Sequence, residues 1–117
     1  MSTRVVITGL GVVSPIGIGV PQFWKAALEG RSGISAITSF DPFPLEGYRS
    51  RVAGRIVGFS PEQYLPAGQG DRVDRYAQFA LVAAKEALAD AELKMEREDP
   101  HRVGVIVGAG MGGMVMG

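Results

Sequence analysis

No cysteine occurs in the 117 residues, so disulfides, zinc–thiolate sites and thiol nucleophiles are excluded from anything this stretch does alone. Only one histidine is present, His101. It sits in the polar connection Asp99-Pro100-His101, with no second ligand or nucleophile at useful spacing, and reads as a solvent-exposed loop residue rather than a metal ligand. Neither charge sign is in excess, with twelve basic and twelve acidic side chains, which argues against a basic nucleic-acid-binding face. Nowhere do about eighteen apolar residues run together, so a membrane-spanning helix is not expected. The opening Met1-Ser2-Thr3-Arg4 lacks the apolar core and small-residue cleavage site of a signal peptide, and a cytoplasmic location is the expectation.

What is present is a globular composition, 46% hydrophobic and 21% charged, with seventeen glycines. Without a collagen-like period those glycines serve tight turns and close backbone contacts. Val5-Val6-Ile7 with Leu10, Val12 and Val13 predicts a buried strand ending at Ser14-Pro15. Pro21 opens a short amphipathic helix over 21–29, whose Phe23, Trp24, Ala27 and Leu28 form a packing face and whose stop is Gly30.

Residues 30–70 show no sustained helical period and hold four of the seven prolines, Pro42, Pro44, Pro61 and Pro66. Within them, 51–57 alternates well enough for one exposed strand, and Ser60 caps a single helical turn at 61–65. A long helix follows, with Val73, Tyr76, Ala77, Ala80, Ala83, Ala84, Ala87, Leu88 and Ala91 on its buried stripe and Asp71 as its cap. Small side chains on that stripe imply close approach to a neighbour. The acid-rich run 96–99 reads as a solvated linker. Val103-Gly104-Val105-Ile106-Val107 predicts a second buried strand, followed by the glycine cluster 108–113.

Strand, helix, irregular segment, helix, strand is an α/β order, and two β-branched runs argue for parallel strands covered on both faces. Two or three strands make too little sheet for such a fold, since about five or six are usual. A substantial partner layer is therefore expected from outside these residues.

Both glycine-rich stretches invite a nucleotide-binding reading. The first, 9–14, lacks the third glycine of the dinucleotide fingerprint and meets Pro15 where a helix should continue. The second, Gly108-Ala109-Gly110-Met111-Gly112-Gly113, fits GxGxxG after a predicted strand but lacks the βαβ context, so a nucleotide-binding module built on Gly108 to Gly113 stands as an alternative only. A piece that works only by dimerising is a further one.

The runs 4–17 (RVVITGLGVVSPIG), 24–30, 32–35 (SGIS), Phe40-Asp41, 72–76 (RVDRY) and 103–113 (VGVIVGAGMGG), taken in this order and spacing, resemble β-ketoacyl-ACP synthases of the elongating type. The similarity covers essentially the whole chain. It implies a thiolase-like α/β fold, layered α-β-α-β-α in the whole enzyme, of which residues 1–117 form an incomplete amino-terminal part. It implies an acyltransferase that condenses an acyl-enzyme with malonyl-ACP in fatty-acid synthesis, usually as a homodimer, with the acyl carrier protein as partner and no cofactor. The runner-up within the family is a chain-length factor or polyketide ketosynthase subunit.

None of the family's cysteine, two histidines and lysine transfers to this sequence, because there is no cysteine and His101 lies in the wrong segment. The 117 residues alone are expected to be catalytically silent. One position does transfer by resemblance: Met111, in the middle of the GxGxGG loop, lines the mouth of the acyl pocket, with simple core filling as the other reading. Relatives often carry basic residues before the long helix; here 67–72 reads AGQGDR, leaving Arg72 and Arg75 as carrier-protein contacts of modest, salt-screened strength. Glu92 stands where relatives use glycine, and the end of the long helix is expected to fray or shift.

Overall fold

A computed structural model describes residues 2–37 and 46–113. Phe40, Asp41, Pro42 and Pro44 lie outside the described residues. The backbone clusters into two units, Met1–Val12 with Ser60–Gly117, and Val13–Phe59.

In the Val13–Phe59 unit, the turn residues of 14–17 make a hairpin: β1 (Val13–Ser14) pairs antiparallel with β2 (Gly17–Ile18). The Ser14 hydroxyl fixes it, donating to the Gly17 carbonyl at 3.0 Å and accepting from the Ile16 N–H at 3.3 Å. Helix α1 (Val20–Leu28) follows, with Pro21 in its first turn, where a missing N–H leaves no bond unmade. A Cβ on Gly17 would lie 2.6 Å from the Phe23 nitrogen, so glycine lets the hairpin touch the helix backbone.

The predicted packing face of α1 is corrected by the structure. Ala26 is the buried residue, Phe23 is half-buried, and Trp24 and Leu28 are 60% and 71% exposed. The helix turns its small residue inward because its neighbour is a backbone hairpin rather than a side-chain layer.

Further on, β3 (Ile34–Ala36) pairs antiparallel with β4 (Val52–Gly54), joining Ile34 to Gly54, Ser35 to Ala53 and Ala36 to Val52. Of the strand expected over 51–57, three residues form it. Its partner lies inside the stretch expected to be irregular. All strand pairing among the described residues is antiparallel, and none of it joins the two β-branched runs expected to lie parallel.

In the other unit, Pro61–Gln63 forms one 3₁₀ turn. Ser60 precedes it but does not cap it; its hydroxyl donates to the Glu62 carboxylate and holds that carboxyl below its usual range. A second 3₁₀ turn, Gly70–Arg72, stands before the long helix α2 (Arg75–Asp90). Asp74, not Asp71, is the residue at the N-cap, because Val73 is extended and separates the two elements. Gln78 reaches back from α2 and donates to the carbonyls of Gly70 at 2.8 Å and Val73 at 3.2 Å, tying the turn to the helix.

The inward face of α2 is rotated relative to the expected stripe. Val82 is buried and Phe79, Ala83, Glu86, Ala87 and Ala91 are half-buried, whereas Tyr76, Ala80, Ala84 and Leu88 are exposed. The cause is the extended segment 8–12, which runs antiparallel along this face. Two strand residues advance about 6.6 Å and four helix residues about 6 Å, so the two repeats stay nearly in step.

A Cβ on Gly9 would lie 2.7 Å from the Ala91 nitrogen, and one on Gly11 2.9 Å from the Ala87 nitrogen. On the same edge, Leu10 N–H donates to the Asp90 carboxylate and Val12 N–H to the Glu86 carboxylate, each at 2.9 Å. The glycines of the opening run thus serve close contact with the alanines of the long helix.

Two expected buried strands are not formed. Residues 5–7 and 103–107 belong to no ladder. Val5, Val6 and Ile7 are 89%, 66% and 82% exposed, and Val105, Ile106 and Val107 are 86%, 100% and 70% exposed. A β-branched run is a strand only when another strand takes its backbone groups, and none among the described residues does so. Among those residues no helix is long and apolar enough to cross a membrane.

Both helices close alike. After α1, Gly30 N–H bonds the Ala27 carbonyl and Arg31 N–H the Ala26 carbonyl, at 3.1 and 2.9 Å. After α2, Glu92 N–H bonds Ala89 and Leu93 N–H bonds Leu88, both at 3.1 Å. This bond pair places the intervening residue in the left-handed region, and φ is 66° at Gly30 and 51° at Glu92. The expected fraying is thus replaced by an ordered stop that carries a Cβ in an unfavourable conformation. Glu92→Gly is expected to raise stability by about 0.5–1 kcal/mol, the left-handed penalty less the added freedom of the unfolded chain. A thermal midpoint equal to or below that of the native protein would contradict this assignment of the strain.

Candidate functional site

The glycine-rich loop 108–113 and the residues leading into α2 come together within one unit. The loop divides in two by its surroundings. A Cβ added at Gly108 or Gly110 would meet nothing within 4 Å. At Gly112 it would lie 2.7 Å from two ring carbons of Tyr76, and at Gly113, where φ is 74°, it would lie 3.0 Å from Asp74 Oδ2. The second half of the loop therefore lies against the start of α2. Met111 stands between the halves with its side chain 78% exposed. Among the described residues Met111 has no side chain packed over it, as is also the case for Ile106 just before the loop.

Arg72 ends the 3₁₀ turn and is exposed, and Arg75 opens α2 with its guanidinium carbon 5.1 Å from the centre of the Phe79 ring. The ring face stabilises the cation and restricts its side chain. Both arginines thus flank the helix start that carries Tyr76. His101 lies apart in the 3₁₀ turn Pro100–Arg102, exposed, its N–H donating to Asp99 Oδ1 at 3.0 Å. Among the described residues no three histidine, cysteine or acidic side chains gather as a metal-binding group. Residues 111–113 do not open a helix.

Two shallow concavities are lined by other residues, one in each unit. One, of about 360 Å³, is a mainly apolar groove between Leu65-Pro66 and Leu81, Ala84 and Leu88 of α2, where Lys85 Nζ donates to the Tyr64 carbonyl at 2.7 Å. The other, of about 220 Å³, lies by Gln22, Lys25 and Arg31, with Arg31 paired to Glu29 at 2.7 Å. Neither includes a predicted site residue.

Sequence reasoning missed Gln78, Asp74 and Tyr76 as partners of the site. A mid-helix glutamine carries no positional signal. Asp74 and Tyr76 were read as part of the run 72–76, and Tyr76 also as a member of the apolar stripe, but no pattern linked either to the loop.

A mixed helix-and-strand chain with an Ala-faced helix against a Gly-x-Gly run and an exposed GxGxGG loop defines a narrow class. The family model described as the N-terminal domain of beta-ketoacyl synthases matches residues 2–116, and the chain belongs to that family, with its thiolase-like α/β fold class. It is 46% identical over 113 residues to the tetracenomycin polyketide synthase ketoacyl synthase beta subunit of Streptomyces glaucescens, covering 97% of this chain and 27% of that protein. It is 43% identical over 111 residues to 3-oxoacyl-[acyl-carrier-protein] synthase 2 of Staphylococcus aureus (strain COL), covering 95% of this chain and 26% of that protein.

Among solved structures, the ishigamide ketosynthase/chain length factor superposes with a TM-score of 0.65 at 36% identity, covering 78% of this chain and 22% of that one. The chain thus spans about a quarter of the length of these curated relatives.

Proposed function

We propose that residues 1–117 are the amino-terminal scaffold of a 3-oxoacyl-[acyl-carrier-protein] synthase. The proposal rests on one observation above the others: the family match runs through residues 2–116 and takes in the glycine-rich loop 108–113. The reaction moves an acyl group from a carrier-protein thioester to a cysteine sulfur, releasing the carrier thiol. Malonyl-ACP then loses CO₂, and the resulting enolate carbon attacks the acyl-enzyme thioester, expelling the cysteine thiolate. That step needs a thiolate and donors for the enolate oxygen. With no cysteine among the 117 residues, the nucleophile comes from other polypeptide.

In this reading Met111, exposed on the loop, lines the acyl pocket, where an unbranched thioether yields to an alkyl chain. Arg72 and Arg75 are rim contacts for the acidic carrier protein, the whole enzyme is a homodimer, and it works in the cytoplasm without a cofactor. A polyketide role has its own support: the 46% identical relative is a ketoacyl synthase beta subunit of a polyketide synthase, and the superposed structure includes a chain length factor.

The deciding experiment is incubation of the intact polypeptide with acyl-ACP and malonyl-ACP, followed by mass spectrometry. A synthase is expected to show an acyl group on a cysteine and a product longer by one condensation. A chain-length factor would show neither unless its partner subunit is supplied. The 117-residue polypeptide alone is expected to form no product, and turnover by it would overturn the proposal. Calorimetric titration with NAD and ATP addresses the nucleotide alternative; heat of binding abolished by substitutions at Gly108 and Gly110 would replace the condensing-enzyme reading of the loop.

A further inference from the structure

The loop that carries Met111 is held on one side only. Gly108 and Gly110 have open space where a side chain would project, whereas Gly112 has the Tyr76 ring there, with ring carbons at 2.7, 2.7 and 2.9 Å from an added Cβ. Gly113 adds a second point of closeness, 3.0 Å from Asp74 Oδ2 and 3.9 Å from Tyr76 Cε1. Asp74 and Tyr76 belong to the cap and first turn of α2. The second half of this helix is anchored by Gly9 and Gly11 and by the Glu86 and Asp90 carboxylates on the backbone of residues 10–12, and its first turns by Gln78 on the carbonyls of Gly70 and Val73. A ring against a residue without a side chain brings backbone and aromatic carbons as near as packing permits.

We propose that Tyr76 is a positioning residue for acyl-chain length: its ring is the floor under Gly112, and it sets where the neighbouring Met111 side chain stands. The proposal rests on the reading of Met111 as a pocket-lining residue. Removing the ring leaves the backbone at Gly112 without support, so Met111 gains room to retreat and longer acyl chains are admitted. Adding a methyl at Gly112 pushes the loop off the ring and displaces Met111 in the same residue-by-residue geometry. The phenol oxygen has no part in this, so a phenyl ring suffices.

The test uses the intact synthase polypeptide and reads two quantities: the distribution of product chain lengths, and the urea unfolding midpoint. Tyr76→Ala is expected to shift the ratio of longer to shorter products on the order of tenfold, the middle of the range for coupling between residues in contact. Tyr76→Phe is expected to keep the native distribution.

Gly112→Ala should lower the unfolding midpoint, and Tyr76→Ala should recover part of that loss in the double variant, because it removes the atoms the new methyl meets. If Tyr76→Ala leaves the distribution unchanged while Met111→Phe shortens the products, the positioning role is overturned and the pocket reading stands. If Met111→Phe changes nothing, the pocket reading falls and takes the chain-length role with it, whatever the midpoints show. Strict additivity of Gly112→Ala and Tyr76→Ala in the midpoint removes the ring as the floor of the loop. Should Tyr76→Ala fail to fold, Tyr76→Leu keeps apolar bulk without a flat face and carries the same expectation for chain length.

Discussion

Gly11→Ala is expected to destabilise the fold by about 3 kcal/mol, the upper end of the cost of forcing a methyl into packed structure. The new Cβ would lie 2.8 Å from the Ala83 carbonyl carbon and 2.9 Å from the Ala87 nitrogen, with the Ala83 carbonyl oxygen closer still. Every one of these atoms is helix backbone, so no rotamer change relieves the contact; either segment 8–12 lifts off or α2 shifts. Lifting that segment also stretches the bond from Val12 N–H to Glu86. Because the obstruction is backbone, Ala83→Gly does not rescue it.

Gly104→Ala, with nothing within 4 Å of the added carbon, is the control, and it is expected to stay within about 0.5 kcal/mol of the native protein. Urea midpoints of the two variants decide the matter. Equal midpoints would mean that the segment 8–12 does not lie on the alanine face in solution.

This contact also shows where sequence reading succeeded and where it stopped. The stripe of alanines implied a close neighbour, and the glycines of 9–11 implied close backbone contact; the structure joins the two statements. Nothing in the spacing said that they concerned each other. Glu86 was invisible as a packing residue because a carboxylate is expected to face water, yet its bond to Val12 N–H draws it to the inward side and rotates the buried face toward Phe79 and Val82.

Local signals were read well. Pro21 and Gly30 bound α1 within a residue or so, since first-turn proline and left-handed glycine act on their own backbone. The strand Ile34–Ala36 was missed because three exposed residues carry no alternation; pairing with Val52–Gly54 makes them a strand. Of the candidate site, Met111 and the arginines were named by resemblance, whereas the closeness of Gly112 to Tyr76 joins residues separated by the whole length of α2 and the segment beyond it, which no local pattern encodes.

Where the sequence demanded cover and the described residues supply none, self-association of the 117-residue polypeptide is expected. Residues 5–7 and 105–107 expose apolar side chains on both faces of extended backbone, from 66% to 100% of each. Alternate residues of a strand point to opposite faces, so exposure on both faces is the signature of a strand built for cover above and below. Full burial is worth about 1.5–3 kcal/mol for each such side chain, and extended segments with free backbone groups also pair edge to edge.

Sedimentation velocity is therefore expected to show a weight-average mass that rises with concentration. Ile106→Lys, at the most exposed of these positions, is expected to raise the concentration for association about tenfold, the equivalent of about 1.4 kcal/mol lost from the contact. Lys94→Ala, outside both runs, is expected to leave it unchanged. A monomer at every concentration, unfolding in one cooperative step, would show that these runs need no cover and that the condensing-enzyme scaffold closes on itself.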